Sequence, residues 1–117
     1  FTNSDDEIRA AKWVSENLNE IILSDERFIS LVIQNNYFKV NGFEDNSPYV
    51  YPTFYRNDPE EVRMVMRELR AGYFATTKRM RDDYILMLNF PQVPMENGQM
   101  YEENFTKVYD NGDVKVY

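Results

Sequence analysis

Neither cysteine nor histidine occurs in the 117 residues. Those two absences remove zinc fingers, disulfides, thiolate nucleophiles, haem attachment through His or Cys, and Ser-His-Asp or Cys-His catalysis. Any catalysis would fall to carboxylates, Tyr, Lys, Arg or Ser/Thr, and no thiol marks a redox compartment. Neither a metal nor a cofactor is expected. Long apolar runs are missing too. No stretch approaches the ~20 residues of a membrane-spanning helix, and no charged segment followed by an apolar one stands near Phe1. A soluble chain away from the membrane is expected, with a cytoplasmic setting preferred. Its first residue is Phe, in keeping with processing or trimming. Positive charge is scarce: 13 Lys and Arg stand against 20 Asp and Glu, a net charge of −7, which would repel a phosphate backbone from most of the surface.

Large apolar side chains, by contrast, are plentiful. At 43% hydrophobic and 15% aromatic the chain is too rich in them for a disordered tail. Its length suits a single domain over residues 1–117, burying roughly 65% of the surface that the unfolded chain exposes.

The local signals predict a mainly helical α+β fold. Ser4-Asp5-Asp6-Glu7 is a capping box, followed by a stripe of Ile8, Ala11, Ser15, Leu18, Ile21 and Ile22 at helical spacing, widened by Trp13 and Val14. Ser24 can cap a second helix carrying Phe28, Ile29, Val32 and Ile33 and stopping at Asn35-Asn36. From Tyr37 to Asn57 aromatics alternate with turn formers, and Pro48 and Pro52 argue against a regular helix; an extended middle is expected, with a possible ribbon turning at Asn41-Gly42. Asp58-Pro59-Glu60-Glu61 starts a third helical region, with Val62, Val65, Met66, Leu69 and Tyr73 inward. The pattern runs on through Phe74, Met80, Tyr84, Met87 and Leu88, as one long basic helix or a pair divided at Gly72. Residues 91–104 read as a long loop, and Phe105 to Tyr117 as a β-hairpin turning at Asn111-Gly112 in a type I′ turn.

The charge is unevenly placed. Arg63 to Arg81 hold six of the cations and one acid, Glu68, so this window carries +5 and leaves −12 for the rest. Arg63, Arg67 and Arg70, spaced i, i+4, i+7, would form one column on a helix, extended by Lys78, Arg79 and Arg81. Such a column fits an acidic protein surface. It also fits this chain's own residues 1–26, where seven acids meet Arg9 and Lys12, by internal pairing or by pairing between copies in a homo-oligomer. With Tyr73 and Phe74 between the clusters, single-stranded nucleic acid is a further, less favoured partner. Tyr49 and Tyr51 could form an aromatic recognition strip, with core packing as the alternative. Met95 and Met100 suggest either an adaptable contact or anchors holding the 91–104 loop.

Carboxylate chemistry has no distinct candidates. A glycoside hydrolase needs two acids ~5 to 9.5 Å apart in a cleft, but Asp5-Asp6-Glu7 and Glu60-Glu61 are explained by helix starts. Asp110-Asn111-Gly112-Asp113 lacks the spacing of a calcium loop and reads as a turn with solvated acids. Asn104-Phe105-Thr106 fits a glycosylation acceptor, relevant only to a secreted chain. The expected function is therefore a non-catalytic protein-binding module: an accessory or assembly subunit, or a small acidic inhibitor of the immunity or phage counter-defence type. Arg63, Arg67, Arg70 and Arg79 would supply charge complementarity, and Tyr49, Tyr51, Met95 and Met100 apolar anchors. A nucleic-acid-binding protein and a carboxylate-dependent hydrolase are the alternatives.

Overall fold

Ser4 opens the first helix as its sequence requires: the Glu7 amide donates to Ser4 Oγ at 3.0 Å and the Ser4 amide to Glu7 Oε1 at 2.8 Å. The structure, a computed structural model, describes residues 2–35, 47–87 and 91–117, with the backbone alone for 47–49. Helix α1 spans Asp5–Asn17 and buries Ala10, Ala11 and Val14, while Ile8 faces outward. The expected stripe ends early, because Ile21 and Ile22 lie in strand β1 (Ile21–Leu23). Strand geometry sends Ile22 and Leu23 to opposite faces, so each fills a different core. A continued helix would have put Ile21 and Ile22 on one side.

Helix α2 (Glu26–Gln34) stops at Asn35 as expected, but its cap is Asp25, whose carboxylate accepts from the Phe28 amide. Ser24 donates its hydroxyl to the Ala75 carbonyl instead. The middle departs further from expectation. Residues 36–46, with the Asn41-Gly42 turn, lie outside the described residues, and Ser47–Tyr55 form helix α3 with Pro52 inside it. That corrects the extended reading. Proline forfeits one helical hydrogen bond, but the helix buries Val50, Phe54 and Tyr55. Carbonyls at its C-terminal end are also satisfied: the Asn97 side-chain amide donates to those of Pro52 and Thr53 within the helix and of Arg56 just past it, and the Glu96 amide to that of Phe54.

The basic region is a helix pair divided by a strand. Helix α4 (Pro59–Glu68) starts at the Asp58 cap, and Arg70 ends it with a left-handed φ of 56°. Ala71–Thr76 then form strand β2, and Lys78–Asp82 form helix α5 behind the Thr77 cap. The predicted continuation of helix through Tyr73 and Phe74 is thus corrected: Tyr73 and Ala75 pack on one core and Phe74 on the other, an alternation that belongs to a strand. Residues 91–104 are not loop throughout, since Gly98–Asn104 form helix α6. Strands β3 (Tyr109–Asp110) and β4 (Lys115–Val116) make the expected hairpin. Its turn is not type I′, which needs two positive φ angles; Gly112 alone supplies one, at 92°.

The sheet order is β1-β2-β4-β3, with β1 parallel to β2 and the other pairs antiparallel. One face carries Ala10, Val14, Phe28 and Val32 from α1 and α2; the other carries Phe54, Val62, Met66, Met100 and Tyr101 from α3, α4 and α6. Helices therefore cover both faces of a small mixed sheet, within a radius of gyration of 12.7 Å. No helix among the described residues is long and apolar enough to cross a membrane.

Gly72 sits at the irregularity where Ile21 pairs with Ala71 but Ile22 with Tyr73. A Cβ there would stand 1.6 Å from Glu20 Oε2 and 2.8 Å from Glu20 Cβ. The carboxylate can swing away; the Cβ cannot without moving backbone. Gly72→Ala is expected to cost about 1–2 kcal/mol by overpacking, and to recover most of it beside Glu20→Gly. Denaturant titration of the four-member cycle checks this, and a coupling near zero would refute the packing account.

Candidate functional site

The expected arginine column is dismantled by the chain's own contacts. Arg63, on α4, donates to Glu60 Oε1 at 2.6 Å and to the Asn104 carbonyl at 2.8 Å, with its guanidinium 4.8 Å from the centre of the Phe105 ring. Arg79, on α5, grips both oxygens of the buried Glu7 carboxylate at 2.9 Å and also reaches Asn3. This realises the internal pairing with the acidic N-terminal region. Arg81 closes on the hairpin, donating to Thr76 Oγ1 and to the carbonyls of Gly112 and Asp113. The acids of that turn are engaged as well, correcting the solvated reading: Asp113 accepts from Ser4 Oγ at 2.6 Å and from the Lys78 amide, and Asp110 accepts from the Gly112 amide.

Of the arginines in the basic window, Arg67 and Arg70 are left. Both are exposed, and neither side chain has a hydrogen bond or ion pair among the described residues. They no longer share a helical column, because α4 ends at Glu68 and Arg70 lies just past its C-cap. At that position a left-handed residue is usually Gly or Asn.

Of the apolar candidates, Met95 and Met100 are 7% and 4% exposed and belong to the core beneath the sheet, so they anchor the 91–104 segment and offer no contact. Tyr51 is exposed on α3, its ring 4.7 Å from that of Tyr55. The backbone of Tyr49 lies in α3 and its side chain lies outside the described residues. Phe74 is fully buried and has no face to offer a base.

A groove of about 400 Å³ lies beside α4, with Arg67 and Met66 on one wall. Ala71, Gly72 and Tyr73 of β2 form its base, and Phe105, Val108 and Tyr117 close the far side. Tyr117 is held by its neighbours: its hydroxyl donates to Glu102 Oε2 at 2.8 Å. Burial, and then that bond to a carboxylate, keep the phenol protonated far above its ordinary range. The same bond is the main reason that Glu102 titrates below the ordinary carboxylate range. The groove thus pairs a neutral aromatic lining with an unspent guanidinium. Among the described residues, no three metal-ligating side chains cluster.

Sequence reasoning singled out Arg67 and Arg70 as candidates but not Phe105, Val108 and Tyr117, which line the groove. Their only signal was β-propensity in the hairpin, which says nothing about what they border. No protein-family model matches the chain, and neither a curated protein nor a solved structure matches it.

Proposed function

We propose that the protein is a non-catalytic protein-binding module that docks on an acidic partner surface through Arg67, Arg70 and the groove beside α4. The observation that carries this reading is the contrast within one basic window. Arg63, Arg79 and Arg81 are taken up internally, while Arg67 and Arg70 keep all their donors for something else. Arg70 adds weight. Its φ of 56° costs a non-glycine residue about 1 kcal/mol relative to Gly, and strain of this kind gathers at functional positions. The groove supplies the apolar centre that charge alone lacks, with Arg67 on its wall and Arg70 just past the end of α4 setting encounter rate and orientation.

Arg70→Gly tests the reading, because its two effects run in opposite directions. It is expected to raise stability by about 0.5–1 kcal/mol. Combined with Arg67→Glu, it should weaken partner binding by about tenfold or more. The partner is to be captured from the native host in parallel with and without nuclease, purified, and titrated by calorimetry against the wild-type and double-variant proteins. Unchanged affinity would remove the basis of the proposal, as would a host target that proved to be single-stranded nucleic acid held at moderate salt.

A further inference from the structure

Two Asn-Gly pairs lie among the described residues, and the fold treats them in opposite ways. At such a pair the backbone nitrogen of the glycine can attack the side-chain carbonyl carbon of the asparagine, since no Cβ on the glycine hinders the approach. A cyclic imide forms and ammonia leaves. Asn97-Gly98 is set against this reaction: Asn97 is fully buried, its Nδ2 is held by the carbonyls of Pro52, Thr53 and Arg56, and its Oδ1 has no donor. Negative charge developing on that oxygen would go unstabilised. Asn111-Gly112 is the reverse case. Asn111 Oδ1 accepts from the Val114 amide at 2.8 Å and the Asp113 amide at 3.2 Å, and the Gly112 amide donates to Asp110 Oδ1 at 2.8 Å. Asp110 is itself kept ionised by Lys107 Nζ, 2.9 Å from its other oxygen. Gly112 is exposed, and a Cβ there would meet nothing within 4 Å.

We propose that Asn111 is a self-modification site, at which the folded hairpin promotes conversion of asparagine to aspartate and isoaspartate. Asp110 takes the proton of the Gly112 nitrogen as that nitrogen bonds to Asn111 Cγ, and the Asp113 and Val114 amides hold the oxyanion that forms. The Cγ–Nδ2 bond then breaks. The proton passes from Asp110 to the departing nitrogen, which leaves as ammonia. Water opens the imide, its hydroxyl going to Cγ to give aspartate or to the backbone carbonyl carbon to give isoaspartate, and its proton returning to the Gly112 nitrogen. Either product adds one negative charge to the chain's −7. It also unfastens a latch. Asn111 Nδ2 donates to the Asp6 carbonyl in the first turn of α1, 105 residues away, at 2.8 Å, and to the Tyr109 hydroxyl at 3.2 Å. A carboxylate in its place has no proton for that carbonyl, so α1 loses a tie to the hairpin on a clock set by the chain's own chemistry.

The test incubates the full chain at neutral pH, folded in buffer and unfolded in guanidinium chloride at matched pH, and follows both asparagines by mass mapping of tryptic peptides. Cleavage after Lys107 and Lys115 puts Asn111 on a peptide separate from Asn97. In the folded chain Asn111 is expected to convert at least about tenfold faster than in the unfolded chain, and Asn97 at least about tenfold slower. Asp110→Asn keeps an acceptor for the Gly112 amide but no base, so it should remove most of the folded-state acceleration and leave the unfolded rate little changed. A folded-state rate at Asn111 equal to or below the unfolded one would overturn the proposal, as would equal rates at the two asparagines in the folded chain. A wild-type rate in Asp110→Asn would overturn the role given to that carboxylate. The folded and unfolded comparison needs no variant, so it decides the matter even if the substitution disturbs the hairpin.

Discussion

Replacement of Asp25 by alanine is expected to cost about 3–5 kcal/mol and to lower Tm by the order of 15 °C. The carboxylate is fully buried and is shared by two elements. One oxygen accepts from the Phe28 amide at the start of α2; the other accepts from Arg27 Nε and Nη2 at 3.0 and 2.8 Å and from the Leu86 amide at 3.2 Å. Arg27 is itself 3% exposed, donates to the Tyr84 carbonyl and lies 4.5 Å from the centre of the Tyr84 ring. Removing Asp25 therefore strands a buried guanidinium and two amides, and the uncompensated charge dominates the cost. The companion experiment is Asp25→Ala with Arg27→Met. An apolar replacement for both partners removes the stranded charge, so the double variant should be more stable than Asp25→Ala alone by 1 kcal/mol or more, roughly. Chemical denaturation of the three variants reads this. A double variant no better than the single would mean that the cap and the Leu86 bond, not the ion pair, carry the stability.

Tyr101→Ala should cost a similar amount, about 3–5 kcal/mol, by leaving a cavity in the core beneath the sheet. Tyr101 is fully buried, stacked on Phe74 at 4.5 Å with an interplanar angle of 3°, and flanked by Phe105 and Tyr117 at 5.0 and 5.3 Å. Tyr101→Phe separates packing from hydrogen bonding. The hydroxyl donates to the Thr53 carbonyl at 2.7 Å, but that carbonyl also accepts from Asn97 at 3.0 Å, so it keeps one partner and the loss should be only about 1 kcal/mol. A phenylalanine variant as damaged as the alanine one would overturn the packing account. Because Phe105 and Tyr117 border the groove and both lean on Tyr101, the alanine variant is also expected to loosen the groove lining. That would appear as weaker partner binding at temperatures where the protein is still folded.

Features confined to a few neighbouring residues were legible in the sequence. The Ser4 capping box, the Asp58-Pro59 helix start and the stop at Asn35 rest on bonds spanning four residues or fewer, the C-terminal hairpin pairs residues only five and seven apart, and each is where the sequence put it. Where the reading failed, a distant partner had outweighed local preference. Pro52 argues against helix locally, yet α3 persists because Asn97 supplies donors for its last carbonyls and the core receives Val50 and Phe54. Tyr73 and Phe74 extend a helical pattern on paper, yet form a strand because β1 and the end of β4 lie on either side. Short apolar runs fit either period, and only the neighbours decide which is used.

The arginines divide along the same line. The sequence by itself determined that positive charge collects between Arg63 and Arg81 in a chain of net charge −7, and that the chain is an α+β protein in which helix predominates. Which guanidinium groups remain available was decided by tertiary structure alone. Glu7 lies 72 residues from Arg79 and the Asn104 carbonyl 41 from Arg63, and no local pattern encodes such pairings. A charge is fixed by covalent chemistry, whereas its freedom depends on what the folded chain brings within about 3 Å of it.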